Sequence, residues 1–129
     1  MCAERQTDTL AQVDALLDEL RSILHGVCLI QDLTPKTANA IVAYGERLSS
    51  VIVTAMLTEA QHVDARSLVK TVPQNDKHFV DFGTTNSLLT AHFSRLQGLA
   101  VMGGFIAADL QTGVTTNLGR GGSDYTAAI

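Results

Sequence analysis

Tryptophan is absent from this 129-residue chain and aromatic residues make up only 5% of it, so the interior must be assembled from Leu, Val, Ile and Ala. Cysteine is nearly absent as well. Cys2 and Cys28 have no metal-type spacing and cannot supply a disulfide framework, which fits a reducing cytoplasm. Basic clusters are missing: nine Lys and Arg against thirteen Asp and Glu leave a net charge of −4. Nothing in that pattern neutralises phosphates, so neither nucleic acid nor an anionic membrane is an expected partner. No apolar run approaches the ~20 residues of a membrane span, and the opening MCAERQTDTL is charged where a secretory signal would be apolar. His25, His62, His78 and His92 lack paired spacing and no Ser-His-Asp pattern occurs, so neither a metal site nor a hydrolase triad is expected. Cys28 lies in an apolar segment and reads as a buried, inert thiol.

What is present is 46% hydrophobic and 17% charged, the balance of one globular domain, with no repeat or composition shift to divide it. Leu10, Val13, Leu17, Leu20 and Leu24 recur at steps of three and four, which predicts an amphipathic helix from Thr9 to Leu24 ending at Gly26. Thr34 followed by Pro35 is a helix start, a capping hydroxyl before a proline at the first helical position. A second helix reads on towards Ala60 with Gly45 inside it, at a cost of ~1 kcal/mol relative to Ala. Either that helix bends at Gly45 or something needs the missing side chain. A short strand near His62 to Ala65, a loop at PQNDK and a third helix from Thr84 or Thr85 to about Gln97 follow. LAVMGGFIAADL, starting at Leu99, reads as one buried central strand, Gln111 to Gly113 as a turn, and VTTNL as the returning arm of a hairpin. Helices alternating with a few strands predict an α/β protein with a predominantly helical first half.

The chain closes on TTNLGRGGSDYTAAI. Gly119, Arg120, Gly121, Gly122, Ser123 and Asp124 follow a strand and precede a predicted helix, with Ser123 as its cap and Asp124 in its first turn. Successive glycines let backbone N–H groups converge, a helix start adds positive potential, and Arg120 can fork onto a carboxylate or phosphate, so the turn suits an anion. It is not a Walker A loop, because no lysine follows the glycines. The same residues also read as a tight connection with two capping side chains and a solvated arginine, and local chemistry leaves both readings open. Glu46 beside Gly45, and the run Asp64-Ala65-Arg66, divide in the same way between function and an ordinary solvated or structural role.

GFIAADLQTGVTTNLGRGGSDYTAA resembles the aspartokinase segment in which a strand ending in G-F is followed by T-T-L-G-R-G-G-S-D-Y, and YGERLSSVIV resembles the G-E-x-L/M-S helix of that family. The leading helix and LTPKT are similar to the helical part of the kinase half in bifunctional aspartokinase/homoserine dehydrogenases. The resemblance implies an α/β fold of the amino-acid-kinase type, a partial α/β/α sandwich with a helical N-terminal half. It implies phosphorylation of the L-aspartate side-chain carboxylate by ATP with Mg2+, giving 4-phospho-L-aspartate for lysine, threonine and methionine biosynthesis, in a cytoplasmic homo-oligomer. It places Glu46 on the substrate's amine, Arg120 and Ser123 on its carboxylates, Asp124 at the reacting centre, and Gly119, Gly121 and Gly122 in the backbone of the anion loop. An amino-acid kinase for another acidic substrate, or a non-catalytic interaction module, is the alternative.

The family's K-F-G-G-S/T-S strand, its T-D-V nucleotide segment and its regulatory domains have no counterpart in residues 1–129. The expectation is a single partial kinase domain that holds nucleotide poorly and leaves apolar surface exposed. A coupled kinase assay on the pure 129-residue chain is therefore expected to show no turnover of aspartate, and measurable turnover overturns this.

Overall fold

The computed structural model describes residues 3–75 and 77–129, so Cys2 lies outside the described residues. In chain order the elements are α1 (Ala3–Ile30), α2 (Pro35–Met56), β1 (Ala60–Val63), α3 (Ala65–Leu68), β2 (Lys70–Gln74), β3 (Lys77–Val80), α4 (Phe82–Phe93), β4 (Leu99–Met102), β5 (Ile106–Asp109), β6 (Thr115–Asn117) and α5 (Gly122–Ala128). The fold is mixed α/β. β1 and β4 form a parallel pair, and a second sheet runs β3-β2-β5-β6 with β2 and β5 parallel and both outer pairings antiparallel.

The first helix is longer than its periodicity predicts and faces another way. It passes through Gly26 to Ile30, and its half-buried stripe is Val13, Leu16, Leu20, Ile23 and Val27. Leu10, Leu17 and Leu24 remain 55%, 39% and 43% exposed. Two apolar stripes lie side by side on this helix, and packing against α2 selects the one that the leucine count does not favour. Cys28 is exposed, a correction to the buried thiol, because it sits on the free last turn with Leu29 and Ile30, themselves 71% and 75% exposed.

α2 starts as predicted, with the Thr34 hydroxyl accepting from Thr37 N–H at 3.1 Å and Pro35 in the first turn. It ends at Met56, short of Ala60, and Leu57 leaves in an extended conformation. The helix continues through Gly45, where an added Cβ would meet nothing within 4 Å. Pro73 and Gln74, expected in a loop, end β2 and pair with β3 in a hairpin. Pro73 is tolerated there because β5 pairs only with Lys70 and Thr71, so its missing N–H falls beyond the partner strand. α4 opens earlier than predicted, at Phe82, because the Asp81 carboxylate accepts from Thr84 N–H at 2.9 Å.

The predicted single strand from Leu99 divides into β4 and β5, in different sheets, at Gly103 and Gly104. β5 is buried along its whole length and divides the core. Ile106 packs with Ala43 and Ala65, while Ala107 packs with Val69 and Val80. Buried Thr71 and Thr116 satisfy each other at 2.9 Å across β5. The Gln111 to Gly113 hairpin forms as predicted, tightened by Asp109, whose side chain accepts from Thr112 N–H and its hydroxyl, both at 2.8 Å. Those bonds from Thr112 hold the Asp109 carboxyl below the usual carboxylate range.

Since an added Cβ at Gly26 meets nothing within 4 Å and the residue is helical, Gly26→Ala is expected to raise stability by about 0.5–1 kcal/mol. Thermal melting checks this, and a lowered midpoint would show that α1 is not continuous there.

Candidate functional site

α2 carries Glu46, and the β5–β6 hairpin delivers the glycine-rich turn and α5. The turn is built on two left-handed glycines, Gly119 at φ +72° and Gly121 at φ +75°. Gly121 is the N-cap of α5 and no side chain caps that helix, so Ser123 is not the cap. The tight turn, closed by Gly122 N–H donating to Gly119 C=O at 3.0 Å, brings the backbone into helix one residue before the serine. Ser123 and Asp124 both fall in the first turn, exposed. Gly122 is needed for space instead: a Cβ there would stand 3.0 Å from Leu118 Cβ and 3.1 Å from the Phe105 ring.

Gly103 and Gly104 join these two parts. A Cβ on Gly103 would lie 3.2 Å from the carbonyl oxygen of Glu46 and 3.4 Å from its Cβ. A Cβ on Gly104 would lie 2.8 Å from Ser123 Cα and 3.3 Å from its Oγ. Consecutive Cα atoms are only ~3.8 Å apart, so Glu46 and Ser123 flank a single peptide. These residues come from distant parts of the chain, and two missing side chains permit the meeting.

Phe105 completes the junction in a conformation that a side chain rarely adopts, φ +70°. Ile106 N–H donates to Gly104 C=O at 2.8 Å across it, a γ-type turn. Phe105 N–H donates to Thr126 Oγ1 at 3.1 Å and its C=O accepts from Leu118 N–H at 2.8 Å, which ties the turn to α5 and to the end of β6. Strain of this kind costs ~1–3 kcal/mol and persists where the surroundings impose it.

The polar groups divide sharply. Asp64 caps α3 by accepting from Arg66 N–H at 3.0 Å and pairs with the Arg66 guanidinium at 2.6 Å, while Arg66 donates to Thr115 Oγ1 at 3.1 Å. Burial acts to raise the Asp64 pKa, but the hydrogen bonds and charge of Arg66 outweigh it and hold it below the usual range. Arg47 is taken by Glu19 of α1 at 3.2 Å and lies over the Tyr44 ring. The side chains of Glu46, Arg120, Ser123 and Asp124, in contrast, make no hydrogen bond or ion pair with any described residue. The D-A-R run is thus a structural brace, and the four residues singled out for substrate chemistry are uncommitted.

Arg120 opens on a groove of about 670 Å³, between the end of β6, the start of α2 and strand β3, lined by Asn39, Lys77, His78, Phe79 and Asn117 among others. Neither Glu46 nor Ser123 lines that groove. The structure therefore seats Glu46 and Ser123 each against one of two adjacent glycines and places Arg120 on a groove that neither of them lines. A more apolar cleft of about 260 Å³ lies between α1, α2 and β1, where Ser50 Oγ is 2.9 Å from His62 Nε2. It is no hydrolase site: Ser50 donates to the Arg47 carbonyl at 3.0 Å and the Asp64 oxygens are occupied by Arg66. Burial lowers the His62 pKa, with Asp64 opposing. No cluster of three or more His, Cys, Asp or Glu residues suited to a metal ion stands among the described residues.

No family model matches the chain. It is 31% identical to lysine-sensitive aspartokinase 3 of Escherichia coli over 124 residues, which cover 92% of this chain and 27% of that one. It is 32% identical to chloroplastic aspartokinase 1 of Arabidopsis thaliana over 127 residues, 86% of this chain and 21% of that one. Its fold superimposes on E. coli aspartokinase III in complex with aspartate and ADP with a TM-score of 0.82 at 30% identity, over 92% of this chain and 27% of that one. The match to the same enzyme with lysine and aspartate has a TM-score of 0.85 at 29% identity, over 95% of this chain and 28% of that one. The chain is homologous to aspartokinases. It spans about a quarter of the length of the aspartokinases it matches.

Gly103, Gly104 and Phe105 form the junction that sequence reading overlooks. The available signal was a glycine pair inside a β-branched apolar run, the pattern of a close backbone approach. Gly104→Ala is expected to cost about 1–3 kcal/mol, because Ser123 Cα stands where the methyl would go. A denaturant midpoint unchanged from the parent chain would show that the contact is not made in solution.

Proposed function

We propose that this chain forms the aspartate-binding side of an aspartate kinase. The observation that carries the reading is that Glu46 and Ser123 are seated against the adjacent Gly103 and Gly104, with their side chains, and those of Arg120 and Asp124, uncommitted to any described residue. An acid, a hydroxyl and a guanidinium held on packed elements match an ammonium and two carboxylates, the groups of an acidic amino acid. In this reading Glu46 takes the α-amino group, Arg120 and Ser123 the carboxylates, and Asp124 stands at the reacting centre.

ATP with Mg2+ supplies the phosphoryl group when bound. The turn fits the acceptor better than a triphosphate, since Gly119, Gly121 and Gly122 bring the backbone close without a lysine among them. The acceptor is an anionic nucleophile approaching another anion, so orientation and charge neutralisation carry the catalysis. The residues of this chain fix the carboxylate that attacks and neutralise the one that does not. The wider role that follows is amino-acid biosynthesis in the cytoplasm, within a homo-oligomer of the complete enzyme.

The exposed leucines of α1 favour a second reading, a module that acts by association. Titration calorimetry with L-aspartate separates the two. Saturable binding, weakened at least tenfold by Glu46→Gln and by Arg120→Gln and weaker for L-glutamate, is expected. Absence of any aspartate heat from a chain that self-associates in sedimentation rejects the kinase reading.

A further inference from the structure

Lys77 and His78 lie on β3, away from the residues that the aspartokinase likeness singles out, yet they line the same groove as Arg120. The strand order sets the distance. β3 and β6 are the two edges of a sheet ordered β3-β2-β5-β6, three strand spacings apart, or about 14 Å. Lys77 on β3 and Arg120, in the turn that follows β6, line a space of that scale, room for a small molecule with an anionic group at each end.

Three observations say which chemistry the space takes. Among the described residues no Asp or Glu lines the groove. The side chains of Lys77 and Arg120, like those of Lys36 and Arg95, have no partner among the described residues, and of these four only Lys77 and Arg120 line the groove. His78 Nδ1 is buried without a hydrogen-bond partner, a state that few buried polar atoms keep. We propose that Lys77 and His78 form an oxyanion subsite opposite Arg120, which holds the phosphoryl end of a small ligand whose carboxylate lies on Arg120. This deepens the kinase reading and rests on it for the nature of the ligand's carboxylate end.

The orientation along α2 agrees. Asn39 lines the groove and is fixed to β6 by a 2.6 Å hydrogen bond from Asn117. Glu46 lies seven residues further on, on the same helix face and about 10 Å along the axis. A ligand whose amine is at Glu46 therefore presents its far end to the groove. Lys77 and His78 would receive the acyl-phosphate end of the product, and Lys77 would neutralise charge that the turn glycines cannot.

Phosphonoacetate, which carries a carboxylate and a phosphonate but no amine, tests the subsite apart from Glu46. Titration into the 129-residue chain is expected to give binding that weakens about tenfold in Lys77→Gln and in His78→Gln, with amide shifts in residues 77–79 and 119–121. The remote Arg95→Gln is expected to leave it unchanged, and unaltered amide spectra elsewhere show that the variants fold. Phosphonoacetate binding that depends on Lys77 in a chain that ignores aspartate keeps the subsite and removes the kinase reading. Aspartate binding with no response of phosphonoacetate to Lys77→Gln or His78→Gln keeps the kinase reading and overturns the subsite.

Discussion

Close approach at one peptide bond is the constraint on which the rest of the structure depends. Gly103 admits the backbone of α2 at Glu46, and Gly104 admits the first turn of α5 at Ser123. Any side chain at Gly104 would push α5 away, and with it the turn that carries Arg120. The division of one apolar segment into β4 and β5 follows from the same cause, because the chain leaves one sheet and enters the other at the point where both helices arrive. A site assembled this way owes its geometry to backbone packing, which interiors hold to within fractions of an ångström.

Around this junction the protein spends its own polar groups selectively. Asp64, Asp81 and Asp109 are each committed to a helix start or a turn. Arg66 braces α3 to β6, and Arg47 is drawn to Glu19. These bonds make the supports rigid, while the side chains of Glu46, Arg120, Ser123 and Asp124 stay uncommitted to any described residue. A site prepared in this way loses little side-chain freedom in its supporting shell when it binds.

What could be read from the sequence was what is local. Thr34 and Pro35 start α2 through neighbouring atoms, and Gln111 to Gly113 turn the chain within one hairpin. The face of α1 was not readable, because Leu10, Leu17 and Leu24 form a stripe as regular as the one that packs, and only α2 decides between them. The start of α5 was misread because Ser123 is a good cap in isolation, while the positive φ of Gly121 is a property of the turn. The roles assigned to Glu46, Arg120, Ser123 and Asp124 came from a family likeness, and their spatial relation did not. The contact of Glu46 and Ser123 with adjacent glycines is long-range and leaves no periodic trace. The groove wall at Lys77 and His78 was hidden for the same reason, since PQNDK reads as a polar loop until β2 and β3 pair.

Phe105 gives the junction a mechanical character. Its φ of +70° is maintained by bonds to Thr126 of α5 and to Leu118 at the end of β6, with its ring against Gly122. A residue loaded in this way acts as a spring between the strand and the turn. While α5 is seated, the spring stays compressed. The strand, the turn and the helix thus meet at one residue, and each of the three contacts that hold it comes from a different one of its neighbours.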